Sequence, residues 1–199
     1  MSRVFCGILA LMQIQRSEQS QSLKQSFWEL VRFVIIALAI VIPVRILIAE
    51  PFVVSGSSMV PTFENGNYLI IDKMSYKLSD PKRDDIAVFR SPNDQTKFYI
   101  KRVIGLPNET VDIKGSVVII TNEKHPLGFT LDEPYVKNIS NNTTHSKLKD
   151  DEYFVMGDNR SGSSDSRSWG PVKREFLTGR ALLRLLPIGK ISVLPGQSN

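Results

Sequence analysis

Two side chains in this sequence could do covalent chemistry together. Ser58 lies in Ser55-Gly56-Ser57-Ser58-Met59-Val60-Pro61-Thr62, a Ser/Gly turn made rigid by a proline. Lys101 lies in Tyr99-Ile100-Lys101-Arg102-Val103-Ile104, a lysine embedded in an apolar run. A serine hydroxyl attacks a carbonyl when a base takes its proton, and lysine can be that base only as the neutral amine. A free lysine has a pKa of ~10.4, and lowering it to ~8 requires ~3 kcal/mol of preference for the neutral form. Burial among Ile100, Val103 and neighbouring strands is the available cause. Strand residues alternate faces, which puts Ile100 and Arg102 opposite Lys101. Each group alone is a weak signal, since Ser-Gly-Ser marks ordinary turns and a lone strand lysine often guards a sheet edge. A third segment, Met156-Gly157-Asp158-Asn159-Arg160-Ser161-Gly162-Ser163-Ser164-Asp165-Ser166-Arg167, adds carboxylates, arginines and serines just before Trp169-Gly170.

These groups need a rigid frame, and the sequence after Glu50 reads as one. Short β-branched or aromatic runs occur at 68–71, 86–89, 98–104, 110–113, 117–120, 153–156 and 180–186. Turn residues such as Glu64-Asn65-Gly66-Asn67, Ser91-Pro92-Asn93-Asp94 and Leu106-Pro107-Asn108 separate them. Helical periodicity is absent over useful lengths, so the expectation is a mainly β protein with an antiparallel sheet. A polar stretch, 122–150, is expected to be an exposed insertion, placing a small inserted β/loop subdomain at 112–152. Four Asn-x-Ser/Thr matches at Asn108, Asn138, Asn141 and Asn142 read as loop composition.

Before the β region, residues 27–49 (FWELVRFVIIALAIVIPVRILIA) suit a helix crossing a ~30 Å hydrocarbon layer. Arg32 and Arg45 flank the most apolar part, where they can reach the headgroups. A buried helix of a soluble protein and a cleavable leader are the alternatives; no small-x-small cleavage pattern stands out near Ala49. Arg3, Arg16 and Lys24 precede the span, which points to a cytoplasmic leader over 1–26 and an extracytoplasmic domain over 50–199.

Composition narrows the classes. At 199 residues and 42% hydrophobic, the chain can bury one ordinary core. The net charge of +5 comes from Lys and Arg scattered among carboxylates, which argues against a nucleic-acid partner. Cys6 is the single cysteine, so an intrachain disulfide and a Cys-based metal site are excluded. His125 and His145 sit in polar sequence and read as surface residues, leaving no metal and no cofactor to expect.

Taken in order, S-x-M-x-P-T-like, I-K-R-x-x-G-L-P and G-D-N-R-x-x-S-x-D-S-R, these segments resemble the type I (bacterial-style) signal peptidases. Those are serine/lysine proteases that remove signal peptides from exported preproteins. The resemblance covers Glu50 to Ile191, with the preceding anchor also in place. It implies Ser58 as nucleophile rather than Ser55 or Ser57, Lys101 as general base, and Ser163 as the hydroxyl that orients the lysine. It implies Asp158, Arg160, Asp165 and Arg167 as a charged framework, read here as the ion pairs Asp158/Arg160 and Asp165/Arg167. Preprotein signal peptides would be the substrates and membrane lipid the setting, at the outer face of the cytoplasmic membrane.

Shallow substrate pockets are expected near Val54, Gly56, Met59, Phe63, Tyr99 and Ile100, with Met59 and Phe63 forming a rim toward the bilayer. Three departures from the family pattern stand out. Asp84 and Asn108 occupy positions where many relatives carry glycine, and both types tolerate positive φ. Gly56 stands where some family members carry a serine whose hydroxyl helps the oxyanion hole, which leaves backbone N–H groups, that of Ser58 among them. A serine/lysine self-cleaving regulator would need a DNA-binding module where this chain has an apolar span. A catalytically dead anchored β-module would not need Ser58, Lys101 and Ser163 together.

Overall fold

The computed structural model describes residues 26–43 and 49–197, which fall into two units. The leader before Ser26, with Cys6, and residues 44–48 within the expected span lie outside the described residues.

In the first unit, α1 (Ser26–Pro43) is long and apolar enough, by length and composition, to cross a membrane. Its 18 residues rise about 27 Å, close to the ~30 Å of a hydrocarbon core. Ala49, given above as the last residue of the span, instead opens β1, its backbone committed to the ladder with Asp72.

The second unit is built of antiparallel strands in two sheets. Its elements in chain order are β1 (Ala49–Val53), β2 (Tyr68–Asp72), α2 (Met74–Leu78), β3 (Ile86–Arg90), β4 (Phe98–Gly105), β5 (Thr110–Lys114) and β6 (Val117–Asn122). They continue with β7 (His125–Thr130), β8 (Thr143–Lys147), β9 (Glu152–Met156), α3 (Ser166–Trp169), β10 (Val172–Lys173), β11 (Leu177–Leu186) and β12 (Ser192–Val193). The larger sheet runs β1-β2-β11-β3-β4-β9-β10, with β12 on β11. The smaller runs β7-β6-β5-β8 and is spliced between β4 and β9, which are neighbours in the larger sheet.

The period-2 pattern of the sequence decides the packing. In β3, Ile86 and Val88 enter one apolar cluster while Ala87 and Phe89 enter another on the opposite face. In β9, Tyr153 and Val155 join the second cluster, whereas Phe154 and Met156 face a third, shared with Val111, Val118 and Ile120 of the small sheet. The central strands β3, β4 and β9 are therefore covered on both faces, and β4 carries Lys101 into that interior.

Asp84 (φ 68°) and Asn108 (φ 65°) both adopt a left-handed backbone, which their residue types tolerate. Each precedes a strand closely, Asp84 before β3 and Asn108 before β5.

Candidate active site

The loop from β1 to β2 presents Ser58. Its geometry is set from below by two apolar plugs, Met59 and Phe63, exposed by only 1% and 0% and packed with Val54, Leu69 and Ile71. Phe63 N–H donates to the Met59 carbonyl at 2.8 Å and Val60 N–H to the Ser57 carbonyl at 3.2 Å, closing the turn. The expectation that Met59 and Phe63 line a substrate pocket and form a bilayer rim is therefore corrected. They are core anchors, because burying large apolar side chains immediately after the small residues 55–58 is what fixes that turn.

Strand β4 brings Lys101 across to this turn. Its Nζ donates to Ser58 Oγ at 2.7 Å. Ala87 of β3 is its cross-strand neighbour, and Nζ lies 5.7 Å from the Tyr99 ring centre. Burial is the largest influence on the amine and lowers its pKa to about 8. Asp165 and Asp158 pull it back upward, and Arg167 acts with burial.

The segment after β9 closes the third side. Gly157 has no room for a Cβ: Ser163 Oγ and the Ser58 carbonyl oxygen occupy that space, with Ser163 Cβ 2.6 Å from it. Ser163 is thus brought against the nucleophile turn. Its Oγ is buried and makes no hydrogen bond, so the expected bond from Ser163 to Lys101 is not formed; the lysine gives its contact to Ser58. Asn159, which the sequence reading passed over, donates its backbone N–H to the Ser58 carbonyl and its Nδ2 to the Ser57 carbonyl, both at 3.1 Å.

The charged framework is present but paired differently. Asp158 is held by Arg102, through Nε at 2.9 Å and Nη2 at 2.6 Å, and both side chains are fully buried. Arg160 pairs instead with Glu133. Only Asp165 and Arg167 pair as expected, at 2.7 Å and 2.8 Å. The physical reason is strand alternation: Arg102 points to the face opposite Lys101, where it would be an unpaired buried cation without Asp158, a loss worth roughly 3–5 kcal/mol. An Arg next to the lysine in an otherwise apolar run was the available signal. Thr62 Oγ1 also donates to Asp158, tying the end of the nucleophile turn to this pair.

Beside Ser58 and Lys101 opens a cavity of about 350 Å³. Val54, Gly56, Tyr99 and Ile100 line it, and Phe52, Leu69, Val88 and Phe98 supply further apolar wall that the sequence did not single out. Phe52 and Phe98 meet edge to face at 5.2 Å, joining β1 to β4 across the cavity. Gly56 (φ 96°) spends its own N–H on Asn65 Oδ1 at 3.0 Å. Among the described residues no group of three or more His, Cys, Asp or Glu side chains is placed to hold a metal ion.

A family model described as signal peptidase, peptidase S26, matches residues 27–186. The chain is 37% identical over 188 residues to a probable signal peptidase I-2 of Synechocystis sp., covering 90% of this chain and 83% of that one. It is 35% identical over 168 residues to a signal peptidase I of Leptolyngbya laminosa, covering 80% and 79%. A signal peptidase I V of Bacillus subtilis is 34% identical over 172 residues, covering 79% of this chain and 96% of that protein.

Proposed function

Because the chain belongs to the signal peptidase family, peptidase S26, and is a serine endopeptidase of preproteins, we propose that Ser58 is its nucleophile and Lys101 its general base. The observation that carries this reading is the 2.7 Å contact between a buried, readily neutralised amine and the serine hydroxyl. In the neutral state that contact reverses, and the Ser58 hydroxyl donates to the lysine lone pair. As Ser58 Oγ attacks the scissile carbonyl, Lys101 takes its proton, and the resulting ammonium protonates the departing amine. An acyl ester remains on Ser58. Lys101, neutral again, takes a proton from a water that attacks the ester, releasing the carboxylate. The developing oxyanion would be met by the Ser58 backbone N–H. The cavity walled by Val54, Ile100, Phe52 and Phe98 would receive the signal-peptide side chains before the cut. Its strand walls favour a substrate in extended form. Asp158, Arg160, Asp165 and Arg167 would hold the segment that carries Ser163 rather than touch substrate.

The setting is a cytoplasmic membrane, crossed once, with the leader inside and the 50–199 domain outside. The apolar α1 and the lysine and arginines ahead of it support this. Within that domain, residues 112–152 would be the inserted subdomain, a reading that the small sheet β5 to β8 supports.

Incubating the detergent-solubilised full chain with a preprotein tests the reading. Cleavage after a small residue is expected from the wild type and from Ser55→Ala and Ser57→Ala, and none from Ser58→Ala, which should still fold and insert. An active Ser58→Ala beside an inactive Ser57→Ala would move the nucleophile.

A further inference from the structure

The loop joining β7 to β8 passes through 133–140, in the polar stretch that the sequence presents as an exposed insertion. Four of its residues each engage a different part of the framework behind the dyad. The Tyr135 ring stacks on the buried Arg102 guanidinium, 3.6 Å from carbon to ring centre. Glu133 takes both terminal nitrogens of Arg160, one of them at 2.8 Å, and is itself nearly buried. Ser140 Oγ accepts from Arg167 Nη1 at 2.7 Å. Asn138 bridges Asn159 in parallel and accepts the Ser161 N–H at 3.3 Å.

From these contacts three separate routes lead to the reacting groups. Tyr135 leads through Arg102 and Asp158 to Thr62 and the end of the nucleophile turn. Ser140 leads through Arg167 to Asp165, whose Oδ2 accepts the Gly157 N–H at 3.0 Å beside Ser58 and Ser163. Asn138 leads through Asn159 to the carbonyls of Ser57 and Ser58. A bystander loop of this polarity would direct its groups to water, whereas here each is spent on a charge or backbone group of the site.

We propose that residues 133–140 form a positioning strap for the Ser58/Lys101 dyad, acting through Arg102, Arg160 and Arg167. The proposal rests on Ser58 being the nucleophile, and it makes the inserted sheet part of the catalytic apparatus rather than an appendage. The strap's contribution is geometric: it fixes the framework that keeps Ser58 within reach of Lys101, and a small misplacement at that contact lowers turnover more than substrate binding. Tyr135 is the residue to vary, since its ring face is the part that touches Arg102 and desolvated stacking of this kind is strong.

The test compares kcat and KM on a signal-peptide substrate, with thermal melting, for full-chain variants in detergent. Tyr135→Leu should lower kcat roughly ten-fold with KM within about two-fold. Tyr135→Phe, which keeps the ring and loses the hydroxyl contacts to Glu133 and Asp84, should recover to within about three-fold of wild type. Adding Ser140→Ala to Tyr135→Leu should lower kcat further. Leu127→Ser, at a fully exposed position of the same small sheet, should change nothing. A Tyr135→Leu enzyme with wild-type kcat would overturn the strap, and so would equal losses in the Leu and Phe variants that track their melting temperatures. Full activity in Ser58→Ala would overturn the underlying nucleophile assignment instead, so the two failures are told apart.

Discussion

A lysine whose pKa falls to about 8 in the folded chain is protonated in both folded and unfolded states below that pH, so the fold bears the whole cost of burying the charge there. The cost is about 3 kcal/mol from the difference in pKa. It shrinks as pH rises from 8 toward the unfolded value of ~10.4 and is gone above it. Lys101→Met should therefore stabilise the protein at pH 7, by roughly 1–3 kcal/mol in urea unfolding, and the gain should disappear above pH ~10.5. A Met variant less stable than wild type at pH 7 would mean the amine is not buried at a cost. The same titration governs activity. Below pH ~8, kcat/KM should rise nearly ten-fold per pH unit and then level off, because only the neutral amine accepts the Ser58 proton. Lys101→Arg should be inactive at every pH, since a guanidinium stays charged. At this scale the sequence was legible only in combination: a lone strand lysine fits a sheet edge, and it implied a depressed pKa only beside the Ser58 turn and the 156–167 segment. The partners of the arginines were not, because Arg102 to Asp158 and Arg160 to Glu133 are long-range contacts that depend on how the strands cross.

Among the elements, the turn after β9 does the most positioning, and Gly157 is its tightest point. A methyl group there would displace the Ser163 hydroxyl and the Ser58 carbonyl together. Gly157→Ala should abolish or nearly abolish turnover, at least a hundred-fold in kcat, while Gly189→Ala, where a Cβ meets open space, should leave it unchanged. An active Gly157→Ala enzyme would show that the turn can yield without consequence. The strands with alternating or fully apolar patterns, β2, β3, β4, β5, β6, β9 and much of β11, were visible in the sequence. Five others were not, for identifiable reasons: β10 and β12 are only two residues each, too short to leave a pattern. β1 contains Pro51, which argues against a strand, and its first residue, Ala49, was counted in the apolar span. β7 contains Pro126 and Gly128, two residues that argue against a strand. β8 is Thr-Thr-His-Ser-Lys with no buried face, and it is a strand only because β5 offers it a ladder from Thr110 to Lys114. Met59 and Phe63 were misplaced for a related reason, since apolar residues beside a nucleophile fit either a pocket or an anchor and only the core beneath the loop decides.

For the molecule as a whole, the apolar helix and the β unit make distinct demands. Anchoring by a span that includes α1, with the leader inside, predicts that protease added outside spheroplasts cuts within 138–150 and spares the leader; digestion of the leader alone would reverse the orientation. The inserted sheet is the part of the architecture whose purpose the sequence concealed, because polar composition looks the same in a solvated loop and in a strap that satisfies buried arginines. The account as a whole stands on a covalent bond that can be located. The full chain, reconstituted in vesicles, is incubated with an activated ester of a signal-peptide-like acyl group and quenched in acid, and the acyl mass is then mapped by peptide mass spectrometry. A single adduct on Ser58, lost in Ser58→Ala and strongly reduced in Lys101→Arg, is the predicted result. An adduct on Ser163 or on any other residue, or preprotein cleavage that persists in Ser58→Ala, would contradict it.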